Sequence, residues 1–377
     1  MNEKTAVPSG EYDLAILLLA IFLTAVGVVM VYSSTAEMAD TLPAFKKDDF
    51  YFLKRQASYA VIGLLVMAVM MRYDYKKLRK FAGIGLLFCM LLLLAVYIPG
   101  LGIKINGARR WLHFGFNLQP VELAKIALII YMAHSLTKKQ KKVREFVSGI
   151  VPYAIVLGII LTLLMFQPDL GSAMTLVAVA VAMLFVAGMR YAYIGYVLAI
   201  IIPLGSLFVV NSAYRMQRIT AFLDPWQDPT GKGLQIIQSW IAIGSGGIFG
   251  KGLGEGRQKL FYLPEAHTDF ILSVIGEETG FIGLALVVIC VYLLFRRGMN
   301  AAITAPDDFG RYLAFGITFL LAFEAIFNMC VVLGLVPTKG LALPFISYGG
   351  SSLICTLAAI GILLNITSQA QRPTVQS

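Results

Sequence analysis

The sequence predicts an all-α, polytopic integral membrane protein of about ten transmembrane helices, with a long extracytoplasmic loop between helices 7 and 8. Three observations carry that prediction. The chain is 58% hydrophobic and only 14% charged, where soluble proteins run at about a quarter charged. Ten apolar runs recur, at 14–32, 57–71, 81–99, 121–134, 149–166, 170–188, 193–210, 270–295, 312–334 and 351–368. The net charge of +10 is concentrated in short clusters between runs. Crossing the hydrocarbon takes roughly 20 residues, so the shorter runs borrow flanking residues to span. Ten helices use most of the chain, so residues 1–377 are read as a single domain.

The first run lacks a basic leader and a small-residue cleavage site, which makes it a retained helix rather than a signal peptide. RYDYKKLRK (72–80) follows the second run and KKQKKVR (138–144) the fourth. The positive-inside rule puts both in the cytoplasm. Arg296 and Arg297 fall on the same side after the eighth run. Both termini, 1–13 and 369–377, are then cytoplasmic.

Three outward segments break the apolar pattern: GLGIKINGARRWLHFGFNLQPVELAK (100–125), the loop 211–269, and VPTKGLALPFISYGGSS (336–352). Loops this long are functional or disordered. Trp226, Trp240 and Phe249 argue for order in the second. Within it QIIQSWIAIGSGGIFG (235–250) is too short to span and is expected to lie in the interface or dip in partway. GKGLGEG (250–256) reads as a flexible loop.

The fourth run opens with QPVE, the sixth with QPDLG, the eighth with TDF and the tenth with GGSS. Pro120 and Pro168 fit a first helical turn. Glu122, Asp169 and Asp269 then sit at positive ends of helix dipoles, where a capping role is the alternative to a functional one. Several helix N-termini on one face also make an anion site suited to phosphate.

Basic residues on the outer side fit the same logic. Arg109, Arg110, Arg215, Arg218 and Lys339 lie in outward segments, against the topological bias. Lys125 comes one turn after Glu122, so it either pairs with it or meets a substrate. Trp111 is an interfacial anchor or part of a site. His113 and His134 read as interfacial and structural.

The most informative stretch is FYLPEAHTDFILSVIGEETG (261–280), where Glu265, His267, Thr268, Asp269, Glu277 and Glu278 border an apolar helix. An ionised carboxylate at a helix centre costs roughly 2.5–3.5 kcal/mol in hydrocarbon, so carboxylates there need a reason.

Other function classes lose support. Walker A, HExxH and GxSxG motifs are absent, and no fixed-period repeat is visible. No basic groove interleaved with aromatics points to nucleic acid. Cys89, Cys290, Cys330 and Cys355 lie in apolar runs without CxxC spacing, and no metal site is expected.

RITAFLDPWQDPTGKGLQIIQSWIAIGSGGIFGKGLGEGRQKLFYLPEAHTDFILSVIGEETG, with NGARRWL, FQPDLGSAM and NMCVVLGLVPTKGLALPFISYGGSS, resembles the shape, elongation, division and sporulation (SEDS) family of FtsW, RodA and SpoVE. The resemblance runs from the first helix to the last. DPWQDP and PTKGLALPFISYGGSS look more like the FtsW branch. Thr279, where the family carries Leu, is a mild departure.

The resemblance implies a peptidoglycan glycosyltransferase of the bacterial cytoplasmic membrane. It would polymerise lipid II into β-1,4 glycan strands at the outer face, serving septal cell-wall synthesis in cell division. Implied partners are a class B penicillin-binding protein, other division or elongation proteins, lipid II, undecaprenyl-pyrophosphate-linked glycan and membrane lipid, with no nucleic acid. By motif, Asp269 is the family's essential aspartate, and Arg110 and Trp111 lie near the same cavity. Together with the reading above, the expected substrate contacts are Arg110, Trp111, Lys125, Arg215, Arg218, Glu265, His267 and Lys339. No cofactor is certain, and a divalent cation stays open.

The chemistry agrees with the residues. A base must take a sugar hydroxyl's proton, and cations must steady a departing pyrophosphate. Two other readings remain: a lipid II flippase, and a non-catalytic division scaffold. Transporters carry broken helices at the midplane and repeated halves, whereas here the Pro/Gly interruptions gather at one face.

Overall fold

The computed structural model describes residues 10–41, 50–105, 108–113, 117–139, 142–210, 213–257 and 263–370. In chain order its helices are α1 (Leu14–Thr41), α2 (Tyr51–Arg72), α3 (Leu78–Ala95), α4 (Pro120–Lys139), α5 (Val151–Phe166), α6 (Leu170–Val186), α7 (Tyr191–Val210), α8 (Ala213–Leu223), α9 (Leu234–Gly246), α10 (Ile271–Thr304), α11 (Asp308–Val332) and α12 (Gly350–Ser368). Each of the ten apolar runs coincides with one of them. The other two, α8 and α9, order much of the loop between α7 and α10. The short apolar segment at 235–250 is largely α9.

Among the described residues, α1, α2, α3, α5, α10, α11 and α12 are long and apolar enough to cross a membrane. α6 is a shorter apolar helix, and α4 carries Glu122 and Lys125 inside and ends on Lys138 and Lys139. α11 and α12 form the centre, with 67% and 72% of their apolar windows buried, against 22% for α3 and 28% for α2, α5 and α10. The peripheral helices turn Leu65, Ile84, Leu87 and Ile289 outward. Apolar surface on that scale suits lipid, not water. α2 meets α12 almost backbone to backbone, since a Cβ on Gly361 would stand 2.6 Å from the Met67 carbonyl oxygen.

One small sheet accompanies the helices. β1 (Gly102–Ile105), β2 (Ala108–His113) and β3 (Asn117–Leu118) form an antiparallel sheet in that order. Ile103 pairs with Trp111 and Leu112 with Leu118. Two alternating stretches flanking an Asn-Gly pair are a strong hairpin signature. Here they brace the approach to α4.

α10 is longer than a single span needs and is interrupted. Its length corresponds to about 51 Å at 1.5 Å per residue, and it is broken at Gly280 (φ 68°, ψ −162°). The freed backbone groups find partners in the segment after α9. Phe281 N–H donates to the Gly247 carbonyl (2.9 Å) and Ile282 N–H to Ile248 (3.2 Å). Lys251 N–H donates to Glu277 (3.0 Å) and Gly252 N–H to Glu278 (3.0 Å). GKGLGEG is therefore docked rather than a flexible loop, because a broken helix at membrane depth must satisfy its polar groups from other protein.

The Glu277 and Glu278 side chains serve the same junction. Glu277 is fully buried and accepts from Lys251 Nζ (2.8 Å) and Arg257 N–H (2.9 Å). Glu278 accepts from the Ser33 hydroxyl of α1 (2.7 Å). Of Glu265, His267, Thr268, Asp269, Glu277 and Glu278, the last two hold the break together.

Candidate active site

Asp269 lies in the turn that leads into α10. The turn begins at Glu265, a non-glycine residue at φ 58°, a conformation that persists only where surrounding contacts enforce it. Its carbonyl accepts from Thr268 N–H (3.2 Å) and Phe270 N–H (3.3 Å), and its carboxylate accepts from the Thr268 hydroxyl (2.8 Å). Leu263, Ala266 and Phe270 are buried beneath it. The N-cap position of α10 is Phe270, whose side chain makes no capping hydrogen bond. Asp269 precedes the N-cap residue rather than occupying that position.

The segment between α11 and α12 closes over this turn. Ser347 Oγ donates to the Thr268 carbonyl (2.6 Å), and Tyr348 N–H to the His267 carbonyl (2.9 Å). Gly340 lies against the carboxylate itself, where an added Cβ would stand 3.1 Å from Asp269 Oδ2. Lys339, the residue before it, places Nζ 3.0 Å from the Met174 sulfur of α6.

Two arginines reach the same region. Arg110 of β2 donates from Nε to the Gln167 carbonyl (3.1 Å) and from its fork to the Pro168 carbonyl, tying the sheet to the α5–α6 turn. Arg218 of α8 donates to the Thr338 carbonyl (3.1 Å), beside Lys339. Burial pushes the Asp269 carboxyl up to about 7, and Glu265 adds to the rise. Arg218 and Arg110 pull it back, and Asp169 pushes it up again. The carboxyl is thus a group that exchanges a proton near neutrality, with two guanidinium charges close enough to act on it.

The remaining sequence expectations divide. Asp169 caps α6, accepting from Ser172 N–H (3.2 Å) and the Ser172 hydroxyl (2.9 Å). Pro168 precedes that cap rather than filling a first turn, because the chain makes a tight reversal there, with Asp169 N–H bonded to the Leu164 carbonyl. Pro120 does begin α4. His267 packs its ring against Phe52 (5.5 Å) and Tyr348 (5.8 Å). Burial lowers its pKa although Glu265 opposes, so the ring is neutral at pH 7. Trp111 is half-buried in β2. Arg215 falls in α8, and its side chain lies outside the described residues. Lys125 is buried, with Nζ 2.8 Å from Glu122 and 2.6 Å from Glu324 of α11. That ammonium joins α4 to α11, and removing it would strand two buried carboxylates.

Sequence reasoning passed over Glu324, Asn328, Gly340 and Ser347. Glu324 and Asn328 carried a usable signal, as polar residues one turn apart inside an apolar helix. Gly340 and Ser347 carried none, because their partners are remote in sequence. No group of three or more His, Cys, Asp or Glu suited to a metal occurs among the described residues.

Known proteins share this architecture. A family model for FtsW/RodA/SpoVE, described as cell cycle protein, matches residues 13–372. A probable peptidoglycan glycosyltransferase FtsW of Geobacter metallireducens is 57% identical over 362 residues, covering 95% of each chain. Stage V sporulation protein E of Bacillus subtilis is 43% identical over 94% of this chain and 96% of its own. A solved structure concerned with structural coordination of polymerization and crosslinking by a peptidoglycan synthase complex superposes with a TM-score of 0.76 at 31% identity, covering 94% of this chain and 97% of that one. The crystal structure of Thermus thermophilus rod shape determining protein RodA gives 0.68 at 28% identity, covering 96% and 98%.

Proposed function

The chain belongs to the FtsW/RodA/SpoVE family of cell cycle proteins, and we propose that it is a peptidoglycan glycosyltransferase that polymerises lipid II with Asp269 as general base. One observation carries the role of Asp269. A carboxyl held near neutrality by burial sits beside Gly340, in the field of Arg110 and Arg218. A general base works best when its pKa lies near the operating pH.

The reaction follows from that arrangement. The acceptor sugar's 4-hydroxyl attacks the anomeric carbon of the lipid-linked donor, and Asp269 takes the hydroxyl proton. The bond from that carbon to the pyrophosphate oxygen breaks, and the prenyl pyrophosphate departs with the electron pair. Pyrophosphate leaves without protonation, so a second acid is not needed. Displacement by the acceptor inverts an α-linked donor to a β-1,4 product. Arg110, Arg218 and Lys339 are the cations assigned to the pyrophosphates, with Arg215 on the same helix as Arg218. Cations fixed where charge develops are the largest single source of such catalysis.

The protein is a multi-pass membrane protein, and we assign it to the bacterial cytoplasmic membrane with the Asp269 site outside. The basic clusters at 72–80 and 138–144 support this orientation. The likeness to a peptidoglycan synthase complex that couples polymerization to crosslinking supports a class B penicillin-binding protein as partner. The sequence likeness to FtsW proteins supports septal synthesis. The test is purified protein with its partner and lipid II, assayed for glycan polymer with Asp269→Ala alongside. Polymer from the wild type and none from the variant is expected; polymer from both overturns the proposal.

A further inference from the structure

We infer that Asn328, on α11, is the positioning residue that holds Asp269 against the Lys339–Leu341 segment. The inference rests on the reading of Asp269 as general base. The Asn328 amide nitrogen donates to the Asp269 carbonyl (2.8 Å) and to the Leu341 carbonyl (2.7 Å). Both partners are acceptors only, so chemistry dictates which end of the amide faces them. Both of its protons are spent on two segments that are remote in sequence and that meet at the carboxylate.

The side chain is 1% exposed. A polar amide inside a membrane helix is retained for a reason. Here the reason is geometric. Leu341 N–H turns back to the Lys339 carbonyl (3.0 Å), which presents Gly340 toward Asp269 Oδ2. One amide therefore fixes both the base and the wall it works against. Its own footing is firm, because α11 is among the most buried helices and Glu324, one turn earlier, is tied to Lys125 (2.6 Å). Ser347 adds a second stitch between the same segments, accepting from Leu343 N–H (2.8 Å) while donating to Thr268 (2.6 Å). A displacement of about 1 Å at a reacting group costs on the order of 100-fold in rate.

The experiment measures lipid II polymerisation by the full chain with its partner, from about pH 5.5 to 9, for wild type, Asn328→Ala, Asn328→Ser and Asp269→Asn. Asn328→Ala should lower kcat about 10- to 100-fold with KM nearly unchanged. The midpoint of its pH profile should move toward acid, as water reaches the carboxyl. Asn328→Ser, which keeps one donor, should fall between, and it reads the same quantities if the alanine protein does not fold. A residue that only supports the fold would lower the rate equally at every pH, and an unmoved midpoint would overturn the inference. Wild-type kcat in the Asn328 variants with an inactive Asp269→Asn sinks the positioning role alone. A fully active Asp269→Asn sinks the general-base reading instead.

Discussion

At the scale of single residues, the proposed reaction turns on a carboxyl whose proton is lost near neutrality. With Asp269 held up to about 7 by burial and Glu265, kcat/KM for lipid II should rise through that pH and level off above it, because the ionised form is the base. A profile flat from pH 5.5 to 9 would leave the carboxyl without that role. Stability has the opposite sign. Between the ordinary carboxylate range and about 7 the folded protein keeps a proton that the unfolded chain has lost, so this group's contribution falls as pH rises. Asp269→Asn should melt above wild type at pH 8, with the gap closing toward pH 4, as thermal unfolding in detergent would read. Gly340 supplies a third check. Alanine there puts a Cβ 3.1 Å from Asp269 Oδ2, and turnover should drop about ten-fold with expression unchanged.

At the scale of elements, the docked loop holds the break in α10, the helix that follows Asp269. Gly280 takes a left-handed φ of 68°, and a Cβ on it would stand 2.4 Å from the Gly250 nitrogen. Gly280→Ala should therefore lower the melting temperature, through backbone strain of roughly 1–3 kcal/mol in a region essentially confined to glycine, plus the clash. An unchanged melting temperature would mean that the break is not held by the loop. This element also marks where sequence reading stops. The ten apolar runs were legible as helices, and seven of those helices are long and apolar enough among the described residues to cross a membrane, because hydrocarbon demands a long apolar stretch whatever it packs against. The polarity of 261–280 was legible too, but not its division of labour. Glu277 and Glu278 looked like Asp269, and only their long-range partners Lys251 and Ser33 separate the three. Arg110, Arg218 and Lys339 were singled out by their place in polar segments between apolar runs. Asn328 and Ser347 act through backbone carbonyls of distant segments, which no spacing rule encodes.

At the scale of the whole molecule, a buried centre of α11 and α12 carries two loops whose meeting point is a carboxylate in a cationic field. The surrounding helices face lipid, where the prenyl chains of donor and product would lie. The orientation is checkable on a background without the four cysteines, which are all free. A cysteine at Lys232 should react with an impermeant thiol reagent added outside, and one at Lys77 should not; the reverse pattern would turn the site to the cytoplasm. The central claim meets its most direct test in Asp269→Asn, purified with its partner and given lipid II. Asparagine keeps the shape of the side chain but cannot take the proton. Glycan polymerisation by Asp269→Asn should fall by about 10²–10⁴-fold with normal expression and folding, and polymerisation near the wild-type rate would rule out Asp269 as the base.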